Sequence, residues 1–241
     1  MTYNVHSCRG ADRRLSPERI VQVIAAYSPD VVALQELDVG RTRSRSLDQT
    51  AIIAHGLGMT AHFVAARPCD DGHYGNAILS RLPSRAMRAA ALPQLDDSCE
   101  PRAAQWVRVN ASFGSVDVLN AHFGLRRGER ALQTANLLGP DWLGNPELGP
   151  HAVLCGDLNA SPGSFVYKSL CERFRDAQLT GERRAAAATF PALLPFVRID
   201  HVLISDTLNV ERAEVPSTRL VRLASDHRPL YVDLLPAGAR A

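Results

Sequence analysis

Short apolar runs, bounded by polar and turn-forming residues, recur along the whole chain. "VVALQEL" (Val31–Leu37) and "AVLCGDLN" (Ala152–Asn159) begin as unbroken apolar stretches, the pattern of strands buried on both faces. "AHFVAARP", "GNAILSRLP", "RAAQWVRVNAS" and "SVDVLNAHF" add further strands, some alternating and some fully apolar. "FVRIDHVLIS", "NVERAEVPS" and "HRPLYVDLLP" supply the last ones. "MTYNV" reads as the end of a strand whose beginning is clipped. Helical spacing marks other segments. In "SPERIVQVIAAYSPD", Ser16 is placed to cap, Pro17 takes the first helical position, and Ile20, Val23 and Ile24 share a face. "DQTAIIAHGLG" is a second helix closed by glycine, "GERALQTANLLGPDWL" a third, and "FVYKSLCERFRDA" a short fourth. Strand follows strand without an intervening helix, which excludes a purely parallel sheet. The expected fold is α/β, with two mixed β-sheets packed face to face and helices outside. Apart from four alanines, Ala185–Ala188, no linker, repeat or low-complexity segment interrupts the chain, and residues 1–241 read as a single domain.

Polar residues gather where the apolar runs stop. Asn4 follows "MTY", Glu36 follows "VVALQ", and His122 follows "VDVLNA". Asp157 and Asn159 follow "AVLCG", Asp200 and His201 lie in "VRIDHVL", and Asp226 and His227 precede "RPLYVDLL". A lone strand-end Asn or Asp is an ordinary turn former. Recurrence at so many strand ends suggests convergence on one rim. With "AVLCGDLN" read as a strand, its period of two puts Asp157 and Asn159 on the same side. Such a set suits metal-assisted phosphoester hydrolysis. Carboxylate oxygens are hard ligands for Mg²⁺ or Mn²⁺, and the histidines follow no zinc pattern. A phosphoryl transition state needs charge neutralisation, an aligned nucleophile and help for the leaving oxygen.

The segments "TYNVH", "LQE", "YGNAILSR", "NAHFGL", "GDLNASP", "RIDHV" and "SDHRPL" resemble, in order and over nearly the whole chain, the endonuclease/exonuclease/phosphatase superfamily. This superfamily includes deoxyribonuclease I, apurinic endonucleases, neutral sphingomyelinases and inositol polyphosphate 5-phosphatases. The resemblance implies a four-layer α/β sandwich. It implies that Glu36 is the principal metal ligand, with Asn4 as a ligand or its partner and Asp226 near the metal. It makes Asp157 the residue that orients or deprotonates water, and Asn159 a donor to the phosphate. His227, oriented by Asp200, becomes the catalytic histidine. His122 becomes the second one, holding phosphoryl oxygens or assisting the leaving group. In deoxyribonuclease I that second histidine leans on a glutamate, whereas here Tyr74 stands at the matching place. Tyr74, Asn76 and Arg102 are candidates for substrate contact. The implied activity is a phosphodiesterase acting on a nucleic acid or a phospholipid head group. The alternatives are a phosphomonoesterase of the inositol phosphatase type and a binding protein that has lost catalysis.

Charge narrows the substrate little. The net charge is +2, with 25 acids offsetting the basic residues, so the total leaves no polyanion footprint. Arginine supplies nearly all the positive charge, since Lys168 is the only lysine. Basic clusters stand at Arg41–Arg45 and Arg126–Arg130. Flanking the cleft, they would favour a polyanion; facing away, a small or weakly charged phosphodiester. The five cysteines are odd in number and include no CxxC, which points to free thiols in a reducing, cytoplasmic compartment. No signal peptide and no apolar span are visible, "AAAATFPALLPFV" being interrupted by Pro191 and Pro195. The oligomeric state is not legible.

Overall fold

A computed structural model describes residues 1–180 and 186–238; of the alanine run, Ala185 lies outside the described residues. The chain opens with β1 (Thr2–Asn4), α1 (Pro17–Ala25), β2 (Val31–Val39), α2 (Gln49–Leu57), β3 (Thr60–Cys69) and β4 (Gly72–Ser80). It continues with β5 (Ser84–Ala91), β6 (Ala103–Ala111), β7 (Gly114–His122), α3 (Arg127–Leu138), β8 (Ala152–Asp157) and α4 (Phe165–Cys171). It closes with β9 (Arg175–Asp176), α5 (Ala177–Thr180), β10 (Asp200–Ile204), β11 (Leu208–Glu214), α6 (Arg219–Ala224) and β12 (Tyr231–Pro236). One sheet runs β1-β2-β4-β3, a second β5-β6-β7-β8-β10-β9, and β11 pairs with β12. An isolated bridge, Thr2 to Leu230, ties the β12 end of the chain to β1.

The apolar faces sort into three layers of core. Ala33, Ile78, Val107, Val118, Val153 and Val202 fill the space between the two large sheets. Ile20, Val23, Ile24, Ile53 and Leu57 seal α1 and α2 onto the outer face of the first sheet. Leu137, Val166 and Leu170 do the same for α3 and α4 on the second, around Trp106 and Trp142. This is the expected four-layer α/β sandwich of two packed mixed sheets flanked by helices.

Local chemistry explains the element ends. Asp48 accepts the Ala51 N–H at the start of α2, and Gly58, at φ +63°, closes it with its N–H directed at Ala54 and His55 carbonyls. Ser16 does stand at the N-cap of α1, but its hydroxyl donates to Glu18 and caps no helix N–H. The expected third helix stops at Leu138, short of "GPDWL". "FVYKSLCERFRDA" divides into α4 and the edge strand β9. Three elements escape the apolar pattern altogether: β5, an alanine- and arginine-rich edge strand, the four-residue α5, and α6, a six-residue helix capped by Thr218.

Buried amides lock the two sheets in relative position. Asn120 on β7 donates to the carbonyls of Leu34 and Ala77, at 3.0 Å each, and accepts from Gln35 at 2.8 Å. Asn76 on β4 donates to the Ala103 carbonyl at 2.9 Å. These side chains cross from one sheet to the other, so the rims of the two sheets are held in fixed register where the polar residues converge.

Candidate active site

β7 and β8 are parallel neighbours and end together, with His122 opposite Asp157. β10 runs antiparallel to β8 and begins with Asp200 opposite Asp157. Three adjacent strands thus deliver His122, Asp157 and Asp200 as one row across the sheet. The facing sheet contributes Asn4, at the end of β1, paired with Gln35. The next residue, Glu36, is turned out of the ladder: β2 bulges between Leu34 and Leu37, and Glu36 holds φ +62°. A non-glycine residue in the left-handed region is strained, and bulges re-aim side chains. Here the re-aimed side chain is the carboxylate beside Asn4.

Asn4 Nδ2 donates to Glu36 Oε1 at 2.9 Å and to Asp157 Oδ2 at 3.0 Å. Its own oxygen accepts the His6 N–H at 3.0 Å. As oriented, the Asn4 amide is a donor that bridges two carboxylates. Its main chain is held by the Ser225 hydroxyl at 2.8 Å, and that same hydroxyl accepts the His227 N–H.

His227 Nδ1 lies 2.8 Å from Asp200 Oδ2, which also accepts from Thr189 at 2.5 Å. The Phe190 ring packs on the imidazole at 4.8 Å between centroids. His227 Nε2 faces Asp157 Oδ2 at 3.7 Å. Burial opposes a charge on His227, but Asp200, then Asp157 and Asp226, outweigh it and raise the imidazole to about 10. Burial and the Asp200 carboxylate push Asp157 up to about 7.

His122 Nε2 stands 3.6 Å from Asp157 Oδ2 and 4.0 Å from Glu36 Oε1. Its Nδ1 lies 3.1 Å from Arg102 Nη1. A guanidinium has no acceptor, so this Nδ1 accepts and the proton sits on Nε2. Burial, then the charges of Arg102 and His227, hold His122 well below the ordinary imidazole value.

Asn159 reaches the site differently from the sequence expectation. β8 ends at Asp157, and Asn159 lies beyond it at φ +46°, its N–H donating to Asp157 Oδ1 at 2.9 Å. A carboxylate-closed turn, not strand alternation, brings the two side chains together. Asn159 Nδ2 donates to the Phe123 carbonyl at 2.9 Å and lies 3.4 Å from His122 Nε2.

Two of the substrate-contact expectations change. Arg102 is only 4% exposed, spent on His122 and on an ion pair with Glu100 at 2.9 Å. Asn76 is buried between the sheets, its amide committed to Ala103. Tyr74 borders a cavity of about 200 Å³ together with Glu36, Arg9, Arg43 and Glu100. The Arg43 guanidinium lies over its ring at 5.3 Å. His201 faces away, bonded to the Ala160 carbonyl. The basic clusters are largely spoken for: Arg41 pairs with Asp71, Arg43 with Asp38, and Arg126 with Asp96.

Carboxylate oxygens at this rim could hold a hard cation. Glu36 and Asp226 are the more open carboxylates, with side chains 22% and 40% exposed. Asp157, Asp200 and His227 form a tighter buried group, whose ligand atoms lie within 4.8 Å of one another. Among the described residues Asp200 Oδ1 is buried with no hydrogen-bond partner, a demand that a cation would satisfy. Both sets offer oxygen rather than thiolate, which suits Mg²⁺ or Mn²⁺.

The model of the Endonuclease/Exonuclease/phosphatase family matches residues 1–227. The chain belongs to this family. Endonuclease/exonuclease/phosphatase proteins are typically hydrolases of phosphoester bonds, generally use divalent metals, and include nucleases, phosphodiesterases and phosphatases. The uncharacterized protein YbhP of Escherichia coli K12 is 25% identical over 244 residues, covering 97% of this chain and 94% of that one. A family structure from Beutenbergia cavernae superposes with a TM-score of 0.79 at 22% identity, covering 99% of this chain and 71% of that one. A mannosyl-6-phosphatase from Bacteroides thetaiotaomicron gives 0.76 at 20% identity, covering 97% and 98%. At these identities the superpositions speak for the fold alone. No helix among the described residues is long and apolar enough to cross a membrane.

Proposed function

We propose that this chain is a divalent-metal-dependent phosphodiesterase, one catalytic domain acting by direct attack of water. One observation carries the reading. The Asp157 carboxylate is buried, accepts from Asn4 and from the Asn159 backbone, and is flanked by both histidine Nε2 atoms at 3.6 and 3.7 Å. A carboxylate raised to about 7 is poised to accept a proton from water near neutral pH. His227, kept charged by Asp200, offers a cationic donor to a phosphoryl oxygen. His122, with its proton on Nε2, is a neutral donor, which favours its role in holding the phosphoryl group over delivery of a proton to the leaving oxygen. Asn159 adds an amide donor beside it. Glu36, with Asp226, would hold the metal, Asn4 fixing Glu36 in place. When bound, Mg²⁺ or Mn²⁺ neutralises phosphoryl charge and acidifies water.

Pairing of Arg41, Arg43 and Arg126 with local acids lowers the free positive charge of both basic clusters, and supports a weakly charged or head-group phosphodiester. The free state of all five cysteines supports a reducing, cytoplasmic setting. The test is a substrate panel with Mg²⁺ and Mn²⁺: plasmid DNA, RNA, sphingomyelin, phosphatidylinositol phosphates, bis(p-nitrophenyl) phosphate and p-nitrophenyl phosphate. Metal-dependent cleavage of a diester, lost in Asp157→Asn, is expected. Cleavage of the monoester alone would shift the assignment to a phosphatase, and no turnover of any substrate would overturn it.

A further inference from the structure

Among the described residues, eight large apolar side chains stand exposed, and scattered exposed leucines need no explanation. Their distribution does. Leu95, Leu125, Leu193, Leu194 and Phe196 lie on loops, and Phe165 at the first residue of α4, at the end of the sandwich that carries His122, Asp157 and Asp200. Leu125 follows His122 by three residues, at the end of β7. Phe165 closes the loop that leaves Asp157. Leu95 lies before β6, whose first residues pair with the last of β7, and its side chain reaches Gly128 on α3.

The segment from Phe190 to Val197 is the most pronounced. Leu194 is 78% exposed and Phe196 77%, separated by Pro195. The segment is not loosely attached. Phe190 packs on His227, the Ala192 N–H donates to the Asp226 carbonyl at 2.6 Å, and Arg228 Nε donates to the Ala192 carbonyl at 2.7 Å. The Val197 N–H closes the segment back on the Phe190 carbonyl at 2.9 Å. A short braced loop thus holds three apolar side chains out in water next to the catalytic histidine.

Deepening the phosphodiesterase reading and resting on it for the substrate, we propose that these loops are an interfacial docking surface, which seats the open cleft on a phospholipid bilayer whose head-group phosphoester is the substrate. Apolar tips enter the acyl boundary, while exposed Arg127 on the same rim, with no ion pair among the described residues, meets lipid phosphates. A second copy or a protein partner covering these side chains would also block the rim that carries His122, Asp157 and Asp200, whereas a bilayer seated there would bring the substrate to it.

The experiment is co-sedimentation with vesicles of phosphatidylcholine and phosphatidylglycerol, at low and high salt, for wild type and for the triple variant Leu193→Ser, Leu194→Ser, Phe196→Ser. Turnover of soluble bis(p-nitrophenyl) phosphate is measured alongside. Wild type should bind vesicles and keep a substantial part of that binding in high salt. The variant should lose partitioning on the order of 10²-fold, from the apolar area no longer inserted. Its soluble-substrate turnover should stay unchanged, which shows an intact fold. Wild type left in the supernatant, or equal binding by the variant, would overturn the proposal. So would a wild-type dimer that becomes monomeric in the variant, or binding abolished by salt as for a polyanion contact. Vesicle binding with no turnover of the soluble diester would support the surface while counting against the phosphodiesterase reading.

Discussion

Arg102 Nη1 and His122 Nδ1 lie 3.1 Å apart in a buried pair, and only one of them can donate. The guanidinium fixes the imidazole tautomer where a carboxylate would fix the opposite one and favour its charge. Arg102 is thus a positioning residue acting through His122. In Arg102→Met, long-range ¹⁵N correlation spectra should show His122 losing its single Nε2–H form, with turnover falling about 10- to 100-fold, below the loss for a proton-transfer group. An unchanged tautomer would reduce Arg102 to a partner for Glu100.

Asp157 and His227 are read as serving one step. Asp157→Asn and His227→Ala should each lower turnover on the order of 10² to 10⁴. The double variant should lose less than the product of the two. Steady-state kinetics on the best diester from the panel tests this, and either single variant within tenfold of wild type would remove that residue from the chemistry.

Glu36 is the expected seat of the cation. Titration calorimetry with Mn²⁺ should show binding to wild type and at least a tenfold weaker affinity in Glu36→Gln, with circular dichroism unchanged. Unaltered binding there, together with loss in Asp200→Asn, would move the seat to the buried Asp157, Asp200 and His227 group.

The His227–Asp200 pair carries a pH signature. Folding raises His227 to about 10 from an ordinary value near 6.5. Its stabilisation is full below about 6.5 and is lost as pH rises through about 10. Urea unfolding in EDTA should show the stability difference between wild type and His227→Gln largest on the acid side and shrinking across that window. A constant difference would mean that the folded protein does not hold His227 charged.

Asn120 should matter to stability more than its size suggests. Asn120→Ala would leave the carbonyls of Leu34 and Ala77 without this buried donor, while the Gln35 amide keeps Thr2 and the Ala33 carbonyl. A loss on the order of 3 kcal/mol in urea unfolding is expected, since each unsatisfied buried group costs about 1–3 kcal/mol. A loss under about 1 kcal/mol would show that the sheets stay in register without the clamp.

The layer order was legible because short apolar runs recur without helices between many of them and Gly58 and Asp48 carry ordinary capping chemistry. β5 was not, because "SRAMRAAA" is an edge strand with no apolar face to mark it. The site residues Glu36, His122, Asp157, Asp200 and His227 stood out at strand ends and in motif order. What they do to one another was hidden. The bulge that re-aims Glu36 leaves no compositional trace, and the turn that brings Asn159 to Asp157 mimics a continued strand. Arg102 and Asn76 looked like substrate contacts because a sequence does not state burial. Gln35 and Asn120 sat inside the quoted motifs "LQE" and "NAHFGL", yet polar type alone gave no sign that they bridge two sheets.

The row formed by His122, Asp157 and Asp200 has a consequence for how the chain becomes dangerous or safe in a cell. Its three members come from strands far apart in sequence, and strand side chains alternate sides. Slippage of any one strand by a single residue turns its member to the opposite face and dismantles the centre. A half-folded or mispaired chain therefore has no row, and the proposed chemistry would have no assembled centre until the six-stranded sheet is complete.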